Sequence, residues 1–194
     1  MSGHPQRIVI ITAPSGAGKT TITKHLLERF PDKLAFSVSA ATREPRGREV
    51  DGQDYHFMSV DRFRELIDAG AFLEWEMVYE GKYYGTLMSE VEGIWASGRA
   101  PMLDIDVKGA IRVMEQHRDR CTSLFIRPPS LEELERRLRQ RGTDPEASIR
   151  ARLEKAGFEL SHANRFDHVI VNDDLPTALA EAEDFIGKFL SKAP

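Results

Sequence analysis

The sequence predicts an α/β protein in which helices cover a parallel β-sheet, with two insertions interrupting the alternation. Short apolar segments, often β-branched, are typical of strands buried on both faces of a sheet. Segments with apolar residues at helical spacing lie between and after them, and this alternation favours a parallel sheet. The predicted strands are residues 8–13, 101–106, 122–126 and 168–172.

The first predicted strand leads directly into a glycine-rich loop. Residues 8–11 read Ile-Val-Ile-Ile, and residues 13–20 read Ala-Pro-Ser-Gly-Ala-Gly-Lys-Thr. This matches the phosphate-binding loop (P-loop) pattern G-x-x-x-x-G-K-[ST] except at its first position, where Ala13 replaces glycine. Because a strand precedes the loop and a helix follows it, we expect a P-loop NTPase-type core that holds a nucleoside triphosphate.

Each residue type in this loop suits phosphate binding. Gly16 and Gly18 allow backbone N–H groups to turn toward oxyanions. Lys19 supplies a charge for the β- and γ-phosphates, and the Thr20 hydroxyl can hold Mg²⁺. The dipole of the following helix adds positive potential at the same place. The predicted ATP-binding residues of the loop are Ala13, Pro14, Ser15, Gly16, Ala17, Gly18, Lys19 and Thr20.

Apolar periodicity and terminal residues predict the helices. Ser130 and Glu133 form a capping-box pattern, and Asp144 with Pro145 reads as an N-cap followed by the first helical residue. Gly70 is placed to end a short helix. The predicted helices are residues 19–30, 61–69, 107–117, 130–141, 145–162 and 175–190.

Two segments depart from the strand–helix alternation and are interpreted as insertions. Residues 37–90 are polar, aromatic and glycine-rich, which predicts a small, mixed, mostly antiparallel lobe. Residues 127–155 are helical and rich in arginine. The remaining segments would form one core from residues 1–36, 91–126 and 156–194.

Composition limits the functional class. The chain has 194 residues, of which 41% are hydrophobic and 30% charged, so it can bury a core and stay soluble. A net charge of −4 argues against a nucleic-acid binder, and no apolar run approaches the ~20 residues of a membrane span. With no secretory signal pattern and a single cysteine, Cys121, we expect a cytoplasmic protein without an intramolecular disulfide. Monomer and homo-oligomer both stay open.

Several longer motifs follow the P-loop. Residues 36–55 read FSVSAATREPRGREVDGQDY, and FLEW, YYGT and LDID begin at Phe72, Tyr83 and Leu103. RLRQRGT and VNDD begin at Arg137 and Val171. Together these motifs make the chain similar to guanylate kinases over residues 8–189. The resemblance implies transfer of a phosphoryl group from ATP, with Mg²⁺, to GMP or dGMP. It also implies that the first insertion binds GMP and the second is a helical lid.

The resemblance assigns two groups of side chains to GMP. The first offers guanidinium forks and phenol hydroxyls to the phosphate: Arg43, Arg46, Tyr55 and Tyr84. The second surrounds the base: Ser39, Glu74, Thr86 and Asp106. Guanine presents two N–H donors that one carboxylate can accept, whereas adenine presents an acceptor there. Because an unpaired buried polar group costs ~1–3 kcal/mol or more, Glu74 is predicted to select GMP over AMP.

Phosphoryl transfer needs positioned cations, and the resemblance supplies them. The implied catalytic residues are Lys19, Arg137, Arg141 and Arg152, the three arginines belonging to the lid. Thr20 and Asp104 are predicted to hold Mg²⁺, Asp104 through water, and Asn172 is predicted to contact adenine. Lys108 departs from the glutamine expected in the family, which leaves the details of the Asp106 loop open.

Two other functions are compatible with parts of this pattern. A ribose bisphosphate phosphokinase-like enzyme would have a similar P-loop, but it would not need the base-reading set that includes Glu74. A non-catalytic guanylate-kinase-like module that binds protein partners would not need the intact Gly18-Lys19-Thr20 sequence.

Overall fold

The computed structural model describes residues 6–140 and 145–192, and strands and helices alternate along them. The strands are β1 (Ile8–Thr12), β2 (Leu34–Phe36), β3 (Ala40–Ala41), β4 (His56–Phe57), β5 (Phe72–Tyr79), β6 (Lys82–Leu87), β7 (Ala100–Asp104), β8 (Cys121–Arg127) and β9 (His168–Val171). The helices are α1 (Lys19–Arg29), α2 (Val60–Asp68), α3 (Met88–Ala96), α4 (Val107–Gln116), α5 (Leu131–Gln140), α6 (Glu146–Ser161) and α7 (Leu175–Ser191).

The core is a five-stranded parallel sheet in the order β2-β7-β1-β8-β9. Its central strand β1 is buried along its whole length. Because side chains alternate across a strand, Val9 and Ile11 enter one apolar cluster with residues of α1 and α7, while Ile8 and Ile10 enter another with residues of α4. The predicted helix-covered parallel sheet is therefore confirmed.

A second, four-stranded sheet has the order β4-β3-β6-β5. β6 is antiparallel to both β3 and β5, while β3 and β4 run parallel, so this sheet is mixed. The fully buried Phe63 of α2 stacks on Phe72 with ring centroids 4.3 Å apart. On β5 and β6, Glu74 stands opposite Thr86. The small mixed lobe predicted for the first insertion matches this sheet.

The structure corrects the prediction at several element ends. Periodicity predicted neither β2 nor α3, since β2 is only three residues long and no side chain caps the start of α3. Pro145 has extended backbone (φ −64°, ψ 153°) and precedes α6, so its predicted place inside the helix is wrong by one residue. The predicted cap Asp144 lies outside the described residues. Only half of the capping box forms, because the Glu133 side chain pairs with Arg136 and Arg137.

Helices α5 and α6 pack on each other through a small apolar cluster that contains Leu134, Leu138, Ile149 and Ala156. This pair also reaches the P-loop. A Cβ atom added to Gly16 would lie 3.0 Å from Leu138 and 3.1 Å from Leu134, so α5 rests directly on the loop. Among the helices in the described part of the chain, none combines the length and apolarity that a membrane span requires.

Candidate active site

A cleft of about 750 Å³ opens beside the carboxyl ends of β1 and β7, bounded by the P-loop, the mixed sheet and α6. Ligands of parallel α/β sheets usually bind at this edge. Most predicted site residues line the cleft: Ala13, Pro14, Ser15, Gly16, Gly18, Lys19, Thr20, Ser39, Arg46, Tyr55, Glu74, Tyr84, Asp104, Asp106 and Arg152. Ala17, Arg43, Thr86, Arg137 and Asn172 lie behind this lining. Arg141 lies outside the described residues.

The P-loop takes its shape from its glycines. Gly16 and Gly18 have φ of 97° and 96°, a left-handed conformation that favours glycine. Gly18 also precedes the first residue of α1, so the helix N-terminus opens toward the cleft. Among the described residues positive φ occurs only at glycines, so the replacement of glycine by Ala13 introduces no backbone strain.

Asn172 supports the P-loop from below. Its Nδ2 atom donates a 2.7 Å hydrogen bond to the carbonyl oxygen of Ala17, and the side chain is buried. A Cβ atom on Gly18 would collide with this amide. The loop therefore needs glycine at this position for two reasons, its left-handed φ and the close approach of Asn172.

The cation of the P-loop is paired with an acid at the end of a neighbouring strand. The Lys19 ammonium donates to the carboxylate of Asp104, the last residue of β7. Thr20 lines the same wall of the cleft. In the described residues no cluster of three or more His, Cys, Asp or Glu side chains could hold a metal ion.

The predicted phosphate clamp has three members that line the cleft and one that lies behind them. Arg46, Tyr55 and Tyr84 face the cleft. The Arg43 side chain is only 7% exposed, and its two terminal nitrogens donate to the Glu49 carboxylate at 2.5 and 2.7 Å. Its guanidinium lies over the Tyr55 ring, 4.8 Å from the centroid.

Glu49 was not predicted as a site residue, although it stands within the quoted motif. It also accepts a hydrogen bond from the backbone N–H of Arg46 at 2.8 Å. The hydrogen bonds from Arg43 lower the pKa of Glu49 to about 2, and they raise the pKa of Arg43. One carboxylate therefore holds the guanidinium of Arg43 and the backbone of Arg46.

Glu74 forms a buried acceptor in the wall of the mixed sheet. It is 5% exposed and its Oε1 accepts a 2.7 Å hydrogen bond from the Thr86 hydroxyl. Burial raises the pKa of Glu74 to about 7, and the nearby charge of Asp106 acts in the same direction. Asp106 itself caps α4, since its Oδ1 accepts from the Gly109 N–H at 2.8 Å. Ser39 lines the cleft beside them.

The predicted lid arginines occupy different places. Arg152 of α6 lines the cleft and donates to the Ser15 hydroxyl at 2.7 Å. Arg137 of α5 instead donates to the Glu133 carboxylate at 2.7 Å and to the Asn172 carbonyl oxygen at 2.9 Å. The structure thus brings Arg152 to the P-loop and leaves Arg137 behind it.

Two further charged residues of α6 line the cleft and were not predicted. The Lys155 Nζ atom lies 3.7 Å from Oε1 of Glu159, and Glu159 is only 5% exposed. Burial raises the pKa of the Glu159 carboxyl. Their i,i+4 spacing is also that of an ordinary surface pair on a helix. The sequence therefore cannot distinguish a pair that lines a cleft from a pair that faces solvent.

Comparisons with known proteins agree with this geometry. The family model described as guanylate kinase matches residues 5–189. Guanylate kinase from Salinibacter ruber is 51% identical over 96% of this chain and 98% of the relative. The corresponding figures for Porphyromonas gingivalis guanylate kinase are 45%, 96% and 99%.

Solved structures show the same fold. The crystal structure of guanylate kinase from Anaplasma phagocytophilum has a TM-score of 0.74 at 30% identity, covering 96% of this chain and 87% of the other. The SH3-kinase fragment of tight junction protein 3 has a TM-score of 0.54 at 14% identity, covering 96% and 58%, and shares the fold alone. The full-length family match and the identities near one half together show that the chain belongs to the guanylate kinase family.

Proposed function

We propose that the protein transfers the γ-phosphoryl group of ATP to GMP or dGMP, giving ADP and GDP or dGDP in purine nucleotide metabolism. The observation that carries the proposal is the buried Glu74 carboxylate in the same cleft as the P-loop. A donor site and a guanine-selective acceptor site then share one cleft. Kinases need this arrangement because the reacting groups must be held in line.

The P-loop is the proposed ATP site. Its backbone N–H groups and the start of α1 surround the phosphates, and Lys19 neutralises the β- and γ-phosphates. Asn172, predicted from the sequence to contact adenine, is proposed to act here through its hydrogen bond to Ala17, because that bond fixes the loop.

The residues beside Lys19 fit Mg²⁺. Mg²⁺ prefers oxygen ligands and is usually bound by one or two protein groups together with substrate phosphates. Thr20 and Asp104 offer a hydroxyl and a carboxylate on the same wall of the cleft. When bound, the ion would neutralise charge on the phosphates. Thr20 and Asp104 would orient it, Asp104 through water.

The mixed sheet is the proposed acceptor site. Arg46, Tyr55 and Tyr84 would hold the GMP phosphate, and Arg43 would add positive charge from behind them. Glu74 would accept from guanine N1–H and N2–H₂. The base-binding set is completed by Ser39, Thr86 and Asp106.

Transfer itself is proposed to depend on charge neutralisation rather than on a general base, because the GMP phosphate is already an anionic nucleophile. Lys19 and Arg152 already face the cleft. Arg137 would reach the transferred group only after exchanging its bonds to Glu133 and Asn172. Arg141 is the third proposed lid arginine.

The proposed division of the chain follows from these roles. Residues 1–36, 91–126 and 156–194 would form the ATP-binding core, residues 37–90 the GMP-binding lobe, and residues 127–155 the lid. The substrates and the single cysteine suit a cytoplasmic protein that acts on nucleotides and binds neither nucleic acid nor membrane.

An acceptor panel tests the function. ADP formation is measured with ATP, Mg²⁺ and each of GMP, dGMP, AMP, CMP and UMP, for the wild type and for Glu74→Gln. Turnover with GMP and dGMP is expected to exceed that with AMP by orders of magnitude, and Glu74→Gln is expected to impair it. Preferential turnover of AMP, or no turnover of any nucleotide, would contradict the proposal.

A further inference from the structure

A glycine in the first turn of α4 lies directly against the base-reading carboxylate. A Cβ atom added to Gly109 would stand 2.6 Å from Oε2 and 3.3 Å from Cδ of Glu74. Real Cβ atoms do not approach other atoms so closely, so any side chain here must displace the carboxylate. The same Cβ would stand 3.4 Å from Oδ1 of Asp106, an ordinary contact.

The backbone itself does not require glycine at this position. Gly109 lies inside α4 and is absent from the positive-φ glycines of the described chain. Alanine is the better helix former in such a position. The space beside Glu74, rather than a special backbone conformation, therefore accounts for the glycine.

Helix α4 is held against β5 one turn later, so the end of the Glu74 side chain can shift more easily than the helix. Arg112 donates to the carbonyl oxygen of Trp75 at 2.6 Å and to the Glu76 carboxylate at 2.5 Å. The first turn is held as well, since the Gly109 N–H donates to the capping Asp106.

The group that would yield is therefore the Glu74 side chain. Its Oε1 depends on the 2.7 Å hydrogen bond from Thr86, and its other oxygen is the one that faces Gly109. A carboxylate pushed away from α4 would lose its bond to Thr86 or enter the space of the base. Both results change how the Glu74 carboxylate can accept hydrogen bonds from a base, and neither alters the P-loop.

We propose that Gly109 is a positioning residue for guanine recognition, which acts by leaving room for the Glu74 carboxylate on the face of α4. The proposal rests on the proposed function, because it concerns the same base-reading carboxylate. It adds that the specificity of the acceptor site depends on a residue that touches no substrate.

The test uses Gly109→Ala with a matched control. Gly93 lies inside α3, where an added Cβ would meet nothing within 4 Å, so Gly93→Ala reproduces the helical change without the collision. KM for GMP, KM for ATP, kcat and the thermal unfolding midpoint are measured for both variants. Gly109→Ala is expected to raise KM for GMP about tenfold or more, with KM for ATP and the midpoint close to those of Gly93→Ala. An unchanged KM for GMP would overturn the proposal.

A second background separates positioning from a general structural effect. If Gly109 acts through Glu74, Gly109→Ala should change KM for GMP less than about twofold when Glu74→Ala, which removes the colliding carboxylate, is already present. Equal effects in both backgrounds would contradict the proposal. If Gly109→Ala does not fold, adding Glu74→Asp withdraws the carboxylate by one methylene and should restore folding. Failure to restore it would also contradict the proposal.

Turnover of the wild type and of Glu74→Gln separates a failure of the proposed function from a failure of the proposed role of Gly109. Absence of GMP turnover in the wild type, or a Glu74→Gln variant equal to it, would remove the proposed function. Normal turnover that Glu74→Gln impairs, together with an unaffected Gly109→Ala, would remove only the role of Gly109.

Discussion

Single carboxylates set the chemistry of the acceptor site at the scale of the residue. Glu49 holds Arg43 by two hydrogen bonds and the Arg46 backbone by a third. Charge-assisted bidentate pairs of this kind fix geometry as well as charge. The positions of Arg43 and Arg46 therefore depend on Glu49, whose own negative charge would repel a phosphate.

Glu49→Gln should weaken GMP binding selectively, since glutamine cannot accept both guanidinium bonds. We expect KM for GMP to rise about tenfold with little change in KM for ATP. Steady-state kinetics with each substrate varied in turn measure this. Glu44→Gln is the matched control, because Arg43 contacts the backbone carbonyl of Glu44 rather than its carboxylate. Equal increases in both KM values would contradict the prediction.

The raised pKa of Glu74, about 7 in the ligand-free protein, predicts a pH-dependent acceptor affinity. Guanine donors require the ionised carboxylate. Below this pKa the Glu74 carboxyl must lose a proton when GMP binds, which makes the binding free energy less favourable. KM for GMP should rise about tenfold per pH unit below 7 and level off above it. Glu74→Gln cannot titrate and should keep only the pH dependence of GMP itself. The same slope in both proteins would rule out Glu74 as its source.

Residue types predicted many of the residues that line the cleft, whereas contacts between distant residues were not predictable. Lys19, Arg46 and Glu74 lie in motifs whose chemistry is readable from the sequence. Glu49 and Gly109 act through neighbours. The sequence does not indicate which residue an acid in a polar loop or a glycine in a helix will contact. Only the three-dimensional structure shows which atoms they approach.

At the scale of the element, α5 and α6 place their arginines differently although they form one packed pair. Arg152 contacts the P-loop at Ser15, while the bonds of Arg137 go to Glu133 and Asn172. Of the two predicted lid arginines in the described residues, Arg152 is therefore the one that contacts the P-loop.

Arg152→Ala should lower kcat about 10²-fold or more, because it removes a cation beside the transferred group. Arg150→Ala is the control: Arg150 lies on the same helix, is 76% exposed and pairs with Glu146 at 3.7 Å. It should change kcat less than about twofold. Single-turnover measurements of phosphoryl transfer would show the difference, and similar losses in the two variants would count against the assignment.

Element type was more predictable than element ends. Long amphipathic segments such as α7 were found from their periodicity. β2 and α3 were not, because three residues carry no period and an uncapped start carries no N-terminal signal. Their places are determined by pairing with β7 and by packing on the core.

In the whole molecule, the residues that stabilise the fold lie on the two faces of the parallel sheet, whereas the candidate site lies at the ends of its strands. Apolar clusters pack on both faces of β1, and the cleft begins where that strand ends. The mixed sheet is joined to this core by the contacts of Arg112 with β5. Changes inside the clusters should therefore alter the free energy of unfolding before they alter substrate binding.

Ile10→Ala is expected to lower the free energy of unfolding by about 2–5 kcal/mol, because the fully buried side chain leaves a cavity in the central strand. KM for ATP and GMP should stay close to the wild-type values in the folded fraction. Val50→Ala, at a position 47% exposed, should change stability by less than about 0.5 kcal/mol. Urea unfolding monitored by circular dichroism measures both, and equal losses would contradict the prediction.

The ion pair between Lys19 and Asp104 bears on which form of the nucleotide the protein accepts. An anion that arrives alone can draw Lys19 toward itself only by leaving the Asp104 carboxylate beside its own negative charge. A nucleotide that carries a divalent cation brings a counter-charge for each member of the pair. The exchange then conserves local neutrality. We therefore expect the Lys19–Asp104 pair to favour metal-complexed ATP over bare ATP, because only the complex offers an opposite charge to each member of the pair.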